Sequence, residues 1–189
     1  MCPQHRQRLA AVALRQPFAI GAEQQRVRRL PGNEAIQVRD ENLPRRFFLR
    51  RFCEQLQRLP LAIVCAVNGA DAGAGASLAL AADVTLAARK SFFLLPFVPR
   101  LGILPDLGLT WFAARGVSRA RAMGMMLFGE RLPAETAAQW GLIWSCVDDD
   151  RLMEDALALA RRLAELPGHG ALQARQALQA AYTNSLNAQ

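Results

Sequence analysis

Leu61-Ala-Ile-Val-Cys-Ala-Val-Asn-Gly-Ala-Asp-Ala-Gly-Ala-Gly-Ala-Ser-Leu-Ala-Leu-Ala-Ala-Asp83 is the stretch on which the fold turns. Its first seven residues are a short, unbroken apolar run rich in branched side chains, the pattern of a strand buried on both faces. Asn68-Gly69 then makes a turn. From about Gly73 to Ala82 the chain reads as a helix built almost wholly of small residues, which lets its backbone approach a sheet closely. Gly73, Ala74 and Gly75 would open that helix with N–H groups lacking intrahelical acceptors, at the end where the macrodipole carries about half a positive charge. An oxygen that becomes negative during a reaction would be stabilised there. Plain helix-on-sheet packing accounts for the same residues equally well. Two phosphate-binding loops are disfavoured, because the third glycine of a dinucleotide loop is missing and no Gly-Lys-Ser/Thr follows.

Outward from this stretch, Phe47, Phe48, Phe52 and Leu56 recur at helical spacing, predicting a helix over Leu43 to Leu59 that Pro60 stops. Val84 to Ala87 is expected to be a second strand, parallel to Leu61–Val67 and joined to it by the small-residue helix in one crossover unit. Ser91 to Leu95 is a short third strand. In Leu101-Gly-Ile-Leu-Pro-Asp-Leu-Gly-Leu-Thr-Trp111 a single carboxylate, Asp106, stands just before a helix start, where it could be an N-cap or a catalytic acid/base. Ser118 is placed to cap the helix carrying Met123, Met125, Met126 and Leu127, a cluster that reads as core filler. Pro133 suits a helical first turn and Gly141 a helix end. Trp144 to Val147 reads as an outer strand or extended link. Asp148 to Asp150 are expected to cap a helix running to Leu166, and Pro167-Gly168 precedes a final helix over Ala171 to Tyr182. Strands alternating with helices, followed by a helical tail, indicate an α/β fold with a buried sheet.

The 189 residues suit one domain, and 52% hydrophobic with 21% charged residues is a globular composition. No apolar run approaches the eighteen or so residues that read as a membrane span. Cys2, Cys53, Cys65 and Cys146 show no C-x-x-C spacing, and with only His5 and His169 beside them no metal site is expected. No secretory leader is evident at the start, so a reduced, cytoplasmic chain is the expectation. Through Cys53 there are eleven arginines against four acidic residues, which accounts for the whole formal charge of +7. Arginine outnumbers lysine 22 to 1, a bias that GC-rich coding explains more simply than phosphate binding. Before Glu41 no period of 2 or 3.6 persists and nothing reads as a strand. The expected division is an atypical, poorly ordered arginine-rich segment over 1–40, a core over 41–148 and a helical region over 149–189.

Pro60 to Asp83, then Gly102-Ile-Leu-Pro-Asp-Leu-Gly108, then Gly129-Glu-Arg-Leu-Pro-Ala-Glu-Thr-Ala-Ala-Gln-Trp-Gly-Leu142 and the helical tail together resemble the enoyl-CoA hydratase/isomerase (crotonase) superfamily. Within it the pattern looks most like the branch that isomerises the ring epoxide of phenylacetyl-CoA, because Pro-Asp-x-Gly stands where that branch carries its acid/base carboxylate. The resemblance implies a crotonase-like (ClpP/crotonase) ββα-superhelix core with a C-terminal helical region. It implies an acyl-CoA isomerase or hydratase working through a thioester enolate, in fatty-acid or aromatic-acid catabolism. Ala74 matches the oxyanion-hole amide and Asp106 the carboxylate that moves a proton, with Gly73, Gly75 and Ser77 lining the substrate. Ser77 falls where hydratases carry the first of two water-activating glutamates, so isomerisation fits better than hydration. No cofactor is implied beyond the coenzyme A of the substrate. A homotrimer or hexamer is implied, with contacts through the helices after Asp149.

Members of the superfamily also carry an upstream strand-helix-strand unit ending in an Ala-Gly-x-Asp-Leu loop, which supplies the second oxyanion amide. Nothing in Met1 to Asp40 reads like it, so the expectation is an N-terminally incomplete core, truncated or frame-shifted, and inactive in this short form. Asp71 replaces a small apolar residue beside the hole, where it would set a negative charge near the enolate. Leu107 and Leu109 stand where smaller residues are common, so the helix after Asp106 is expected to pack differently. Three other readings stay open: a basic-armed nucleic-acid-binding protein, an inactive crotonase-like interaction protein, and a serine hydrolase at Ser77. The last lacks any histidine between Ser77 and His169 to serve as base.

Overall fold

The computed structural model describes residues 10–14, 53–59, 61–105, 107–166 and 168–185. In chain order they form β1 (Ala10–Leu14), α1 (53–58), β2 (Ile63–Val67), β3 (Ala70–Ala72), α2 (Ala74–Leu80), β4 (Val84–Ala88) and β5 (Phe92–Leu94). A π-helical turn, Phe97–Leu101, leads to α3 (Leu109–Gly116), α4 (Arg119–Phe128), β6 (Leu132–Pro133), α5 (Ala134–Gln139), β7 (Ser145–Val147), α6 (Leu152–Ala164) and α7 (Gly168–Ala180). A four-stranded parallel sheet has the order β1-β2-β4-β7, and a small sheet has the order β3-β5-β6.

The β2–α2–β4 unit stands as the apolar run and the small-residue helix predict, with Val64 opposite Val84 and Val67 opposite Ala87. Every residue of β2 is buried, Ile63 in a small cluster with Cys53, Leu56, Leu78 and Ala81, and the next four alternating between two larger cores. Cys65 and Val67 pack with Ala76 and Ala79 of α2 and with Ala87, Phe93 and Leu109. Val64 and Ala66 pack with Leu86, Ala88 and the α6 stripe Leu152, Ala156 and Ala160. Those three α6 residues are spaced by four, so one helical face meets the sheet. Thr85 Oγ1 donates to Ala79 O at 2.6 Å, satisfying a buried hydroxyl where α2 gives way to β4.

Several local expectations hold. Ser118 caps α4, accepting from Arg121 N, and Gly141 takes a positive φ of 79° just after α5. Ser145–Val147 is an outer strand, paired with β4. Others need correction. Ala10–Leu14 is a strand at the edge of the main sheet, with Ala10 opposite Ile63 and Leu14 opposite Val67, although the segment before Glu41 shows no strand signal. Three alanines in five residues have little intrinsic strand preference, so the waiting edge of β2 makes the strand. Asp148–Asp150 do not cap α6, whose N-cap is Arg151 with no side-chain bond. Asp148 instead accepts from the Arg89 guanidinium, and Asp149 from the Lys90 backbone N–H at 3.1 Å. Helix α7 starts at Gly168, earlier than the expected Ala171. Of the α4 methionines, Met125 is buried and Met126 packs on the core, but Met123 is exposed. The expected helix over Leu43 to Leu59 is seen over 53–58, and its earlier part lies outside the described residues.

Candidate active site

The turn into α2 is built around glycine. Gly73 has φ 60° and ψ −116°, and a Cβ there would approach Phe97 Cζ at 3.5 Å. Its N–H donates to Leu94 O at 2.9 Å, extending the alignment of β3 with β5. That corrects the expectation of three free amides, since the Gly73 donor is already engaged. Ala74 and Gly75 are the first two residues of α2, whose N–H groups precede the first intrahelical acceptor. Ala74 is half-buried and Gly75 buried, so the donor nearer solvent is Ala74.

Ser77 lies one turn further on and is 0% exposed, with an Oγ that has no hydrogen-bond partner. Helix α2 thus places this hydroxyl in the interior. Asp106 lies outside the described residues. Beside it, Leu107 (φ 56°) and Gly108 (φ 79°) take the left-handed conformation in succession, and Leu107 is the one described non-glycine residue to do so. A bulky residue held there is strained by about 1 to 2 kcal/mol, and Leu107 is anchored by its burial. The N-cap of α3 is Gly108, so the capping position expected of Asp106 belongs to another residue. Leu109 is fully buried in the main core. Helix α3 packs on α2, and Phe97, at the start of the chain segment leading to Asp106, lies against Gly73.

Asp71 is the charged-type residue whose situation sequence alone misjudges. It is 5% exposed, and its carboxyl is pushed up to about 7 by burial. Burial therefore favours its uncharged form relative to an ordinary carboxylate. The neighbouring Cys65 thiol is pushed up by burial and, secondarily, by Asp71, so it is an inert thiol.

A parallel sheet carrying a glycine-rich turn into a small-residue helix defines a fold class that known proteins share. The Enoyl-CoA hydratase/isomerase family matches residues 13–189, and the chain belongs to that family. It is 46% identical over 142 residues to the 1,2-epoxyphenylacetyl-CoA isomerase of Escherichia coli K12, a match covering 75% of this chain and 54% of that protein. Among solved structures, an enoyl-CoA hydratase from Mycobacterium avium subsp. paratuberculosis K-10 superposes with a TM-score of 0.69 at 35% identity, covering 75% of this chain and 59% of that one. A monofunctional enoyl CoA isomerase from M. smegmatis gives a TM-score of 0.67 at 32% identity, covering 74% and 66%. The crotonase-like fold expected from the motifs is thereby established. The chain spans about half the length of the curated relatives it matches.

Proposed function

We propose that this chain carries the isomerase half-site of an acyl-CoA enzyme, acting on a double bond or ring epoxide next to a thioester. The carrying observation is the turn at Gly73–Ala74, where the Gly73 N–H is bonded to Leu94 O and the Ala74 N–H opens α2. An acyl-CoA α-proton becomes removable only when a preorganised donor receives the enolate charge, and one such donor is worth about 3 kcal/mol. In this reading Ala74 N–H holds the thioester oxygen and the Asp106 carboxylate takes the proton from one carbon and returns it to another. The composition of α2 supports isomerisation over hydration, since with Ser77 in place of a glutamate it presents no carboxylate that could activate water. Coenzyme A enters as part of the substrate, and a cytoplasmic, trimeric or hexameric enzyme belongs to the same proposal. Among the described residues no helix is long and apolar enough to cross a membrane.

The test is isomerisation of an unsaturated acyl-CoA by this chain and by this chain joined to the preceding half of the Escherichia coli relative, each with and without Asp106→Asn. No Ala-Gly-x-Asp-Leu stretch occurs in the 189 residues, so the joined chain is expected to be the active one. Asp106→Asn should lower its turnover by roughly 10²-fold or more, the scale of a positioned acid/base. A joined Asp106→Asn variant as fast as its parent would remove Asp106 from the mechanism.

A further inference from the structure

The three residues of β3 sit between two glycines in the positive-φ region, Gly69 at 106° and Gly73 at 60°. Nothing lies within 4 Å of where a Gly69 Cβ would be, so Gly69 faces open space. The segment is fastened at both ends: Gly69 N donates to Ser91 Oγ at 2.8 Å, and Gly73 N to Leu94 O at 2.9 Å. Ser91 Oγ in turn donates to Val67 O at 3.0 Å, and β3 pairs with β5 through Ala70–Phe92, Asp71–Phe93 and Ala72–Leu94. In the middle stands Asp71, buried, with Oδ2 lacking a partner and no ion pair among the described residues. Of the elements packed on β3, neither β5 (Phe-Phe-Leu) nor α2 (Ala-Gly-Ala-Ser-Leu-Ala-Leu) carries a titratable group. The titratable side chain that feels Asp71 is Cys65 of β2, a neutral buried thiol.

We propose that Gly69–Gly73 is a proton-operated latch, held in the sheet while Asp71 is a neutral carboxylic acid and released on its two glycine pivots when Asp71 ionises. A buried carboxylate whose Oδ2 has no partner among the described residues is costly to ionise, and the nearest relief is to move it into water. Burial pushes the carboxyl up to about 7, whereas in the opened segment it returns to about 3.9. The closed form therefore binds the extra proton between those values, and closure is strongest below about pH 4, weakens as pH rises, and levels off above about 7. Release moves the residue that precedes Ala74, so the presentation of that amide becomes pH-dependent. The inference needs no assumption about the reaction.

Amide hydrogen exchange of the whole chain, followed by NMR between about pH 4 and 8 and corrected for intrinsic exchange, tests it. Protection at the Gly69 and Gly73 amides should fall about tenfold per pH unit up to about 7 and then flatten, while remaining below that of the β2 amides. Asp71→Asn should abolish the slope, and Asp71→Ala serves the same purpose should the amide variant not fold. A flat wild-type profile, an unchanged slope in the variant, or protection at both glycines equal to that of β2 at every pH would each overturn the latch.

Discussion

Arg175 of α7 and Asp83, at the junction of α2 and β4, form a two-pronged ion pair, with Nε to Oδ1 at 2.7 Å and Nη2 to Oδ2 at 2.5 Å. The guanidinium also donates to three backbone carbonyls, Gln57 O at 3.1 Å, Leu59 O at 2.8 Å and Leu61 O at 2.7 Å. Asp83 Oδ2 accepts the Ile63 N–H at 2.7 Å as well. One side chain thus ties the C-terminal helix to the end of α1, the entry of β2 and the end of the crossover helix.

Arg175→Ala should destabilise the chain by about 3 to 5 kcal/mol, because it leaves Asp83 and three carbonyls without their donor in a largely buried place. Arg175→Lys should recover only part of this, since an ammonium cannot reproduce the fork. Urea midpoints decide the matter. An alanine variant with the parental midpoint would mean that water substitutes for the guanidinium.

Two glycines with the same left-handed tendency should respond differently to alanine. At Gly129 (φ 57°) a Cβ would lie 2.5 Å from Pro99 Cγ and 3.2 Å from Leu95 O, so Gly129→Ala combines backbone strain with a clash and should cost about 2 to 4 kcal/mol. At Gly69 (φ 106°) there is open space, and Gly69→Ala should cost only the strain, about 1 to 2 kcal/mol. Equal losses in thermal unfolding would refute the distinction.

Ser77→Ala should leave stability unchanged or raise it by about 1 kcal/mol, because the hydroxyl is buried without a partner and its removal lifts a desolvation cost. Calorimetry of the two proteins is sufficient. A clear loss would show that Oγ makes a bond in solution that this arrangement lacks.

Self-association is expected, because Leu104 is 81% and Phe128 70% exposed, and Leu178 and Tyr182 are exposed near the end of the chain. Light scattering at micromolar concentration should report an assembly of three or six chains. A clean monomer there would exclude the expected assembly.

Much of the fold is legible in Leu61 to Ala88. The unbroken apolar run, the Asn-Gly turn and the small-residue helix each follow from a local rule, and the structure joins them as one β2–α2–β4 unit. The site is legible more coarsely. The turn at Gly73–Gly75 is where its residues place it, but that the Gly73 donor is engaged depends on Leu94 in another strand. Asp148 reads as a cap by its position before α6, and a better partner, Arg89, stands 59 residues away in sequence.

By itself the sequence determined the strand-helix-strand core and the family, because hydrophobic period, turn chemistry and side-chain size act between neighbours along the chain. Only the tertiary structure decided that Ala10–Leu14 is a strand, that Arg175 meets Asp83 across 92 residues, and that Asp71 Oδ2 is buried without a partner among the described residues. Each of these depends on which distant segment supplies an open sheet edge, a counter-charge or a dry surrounding, and no local pattern of residues encodes that neighbour.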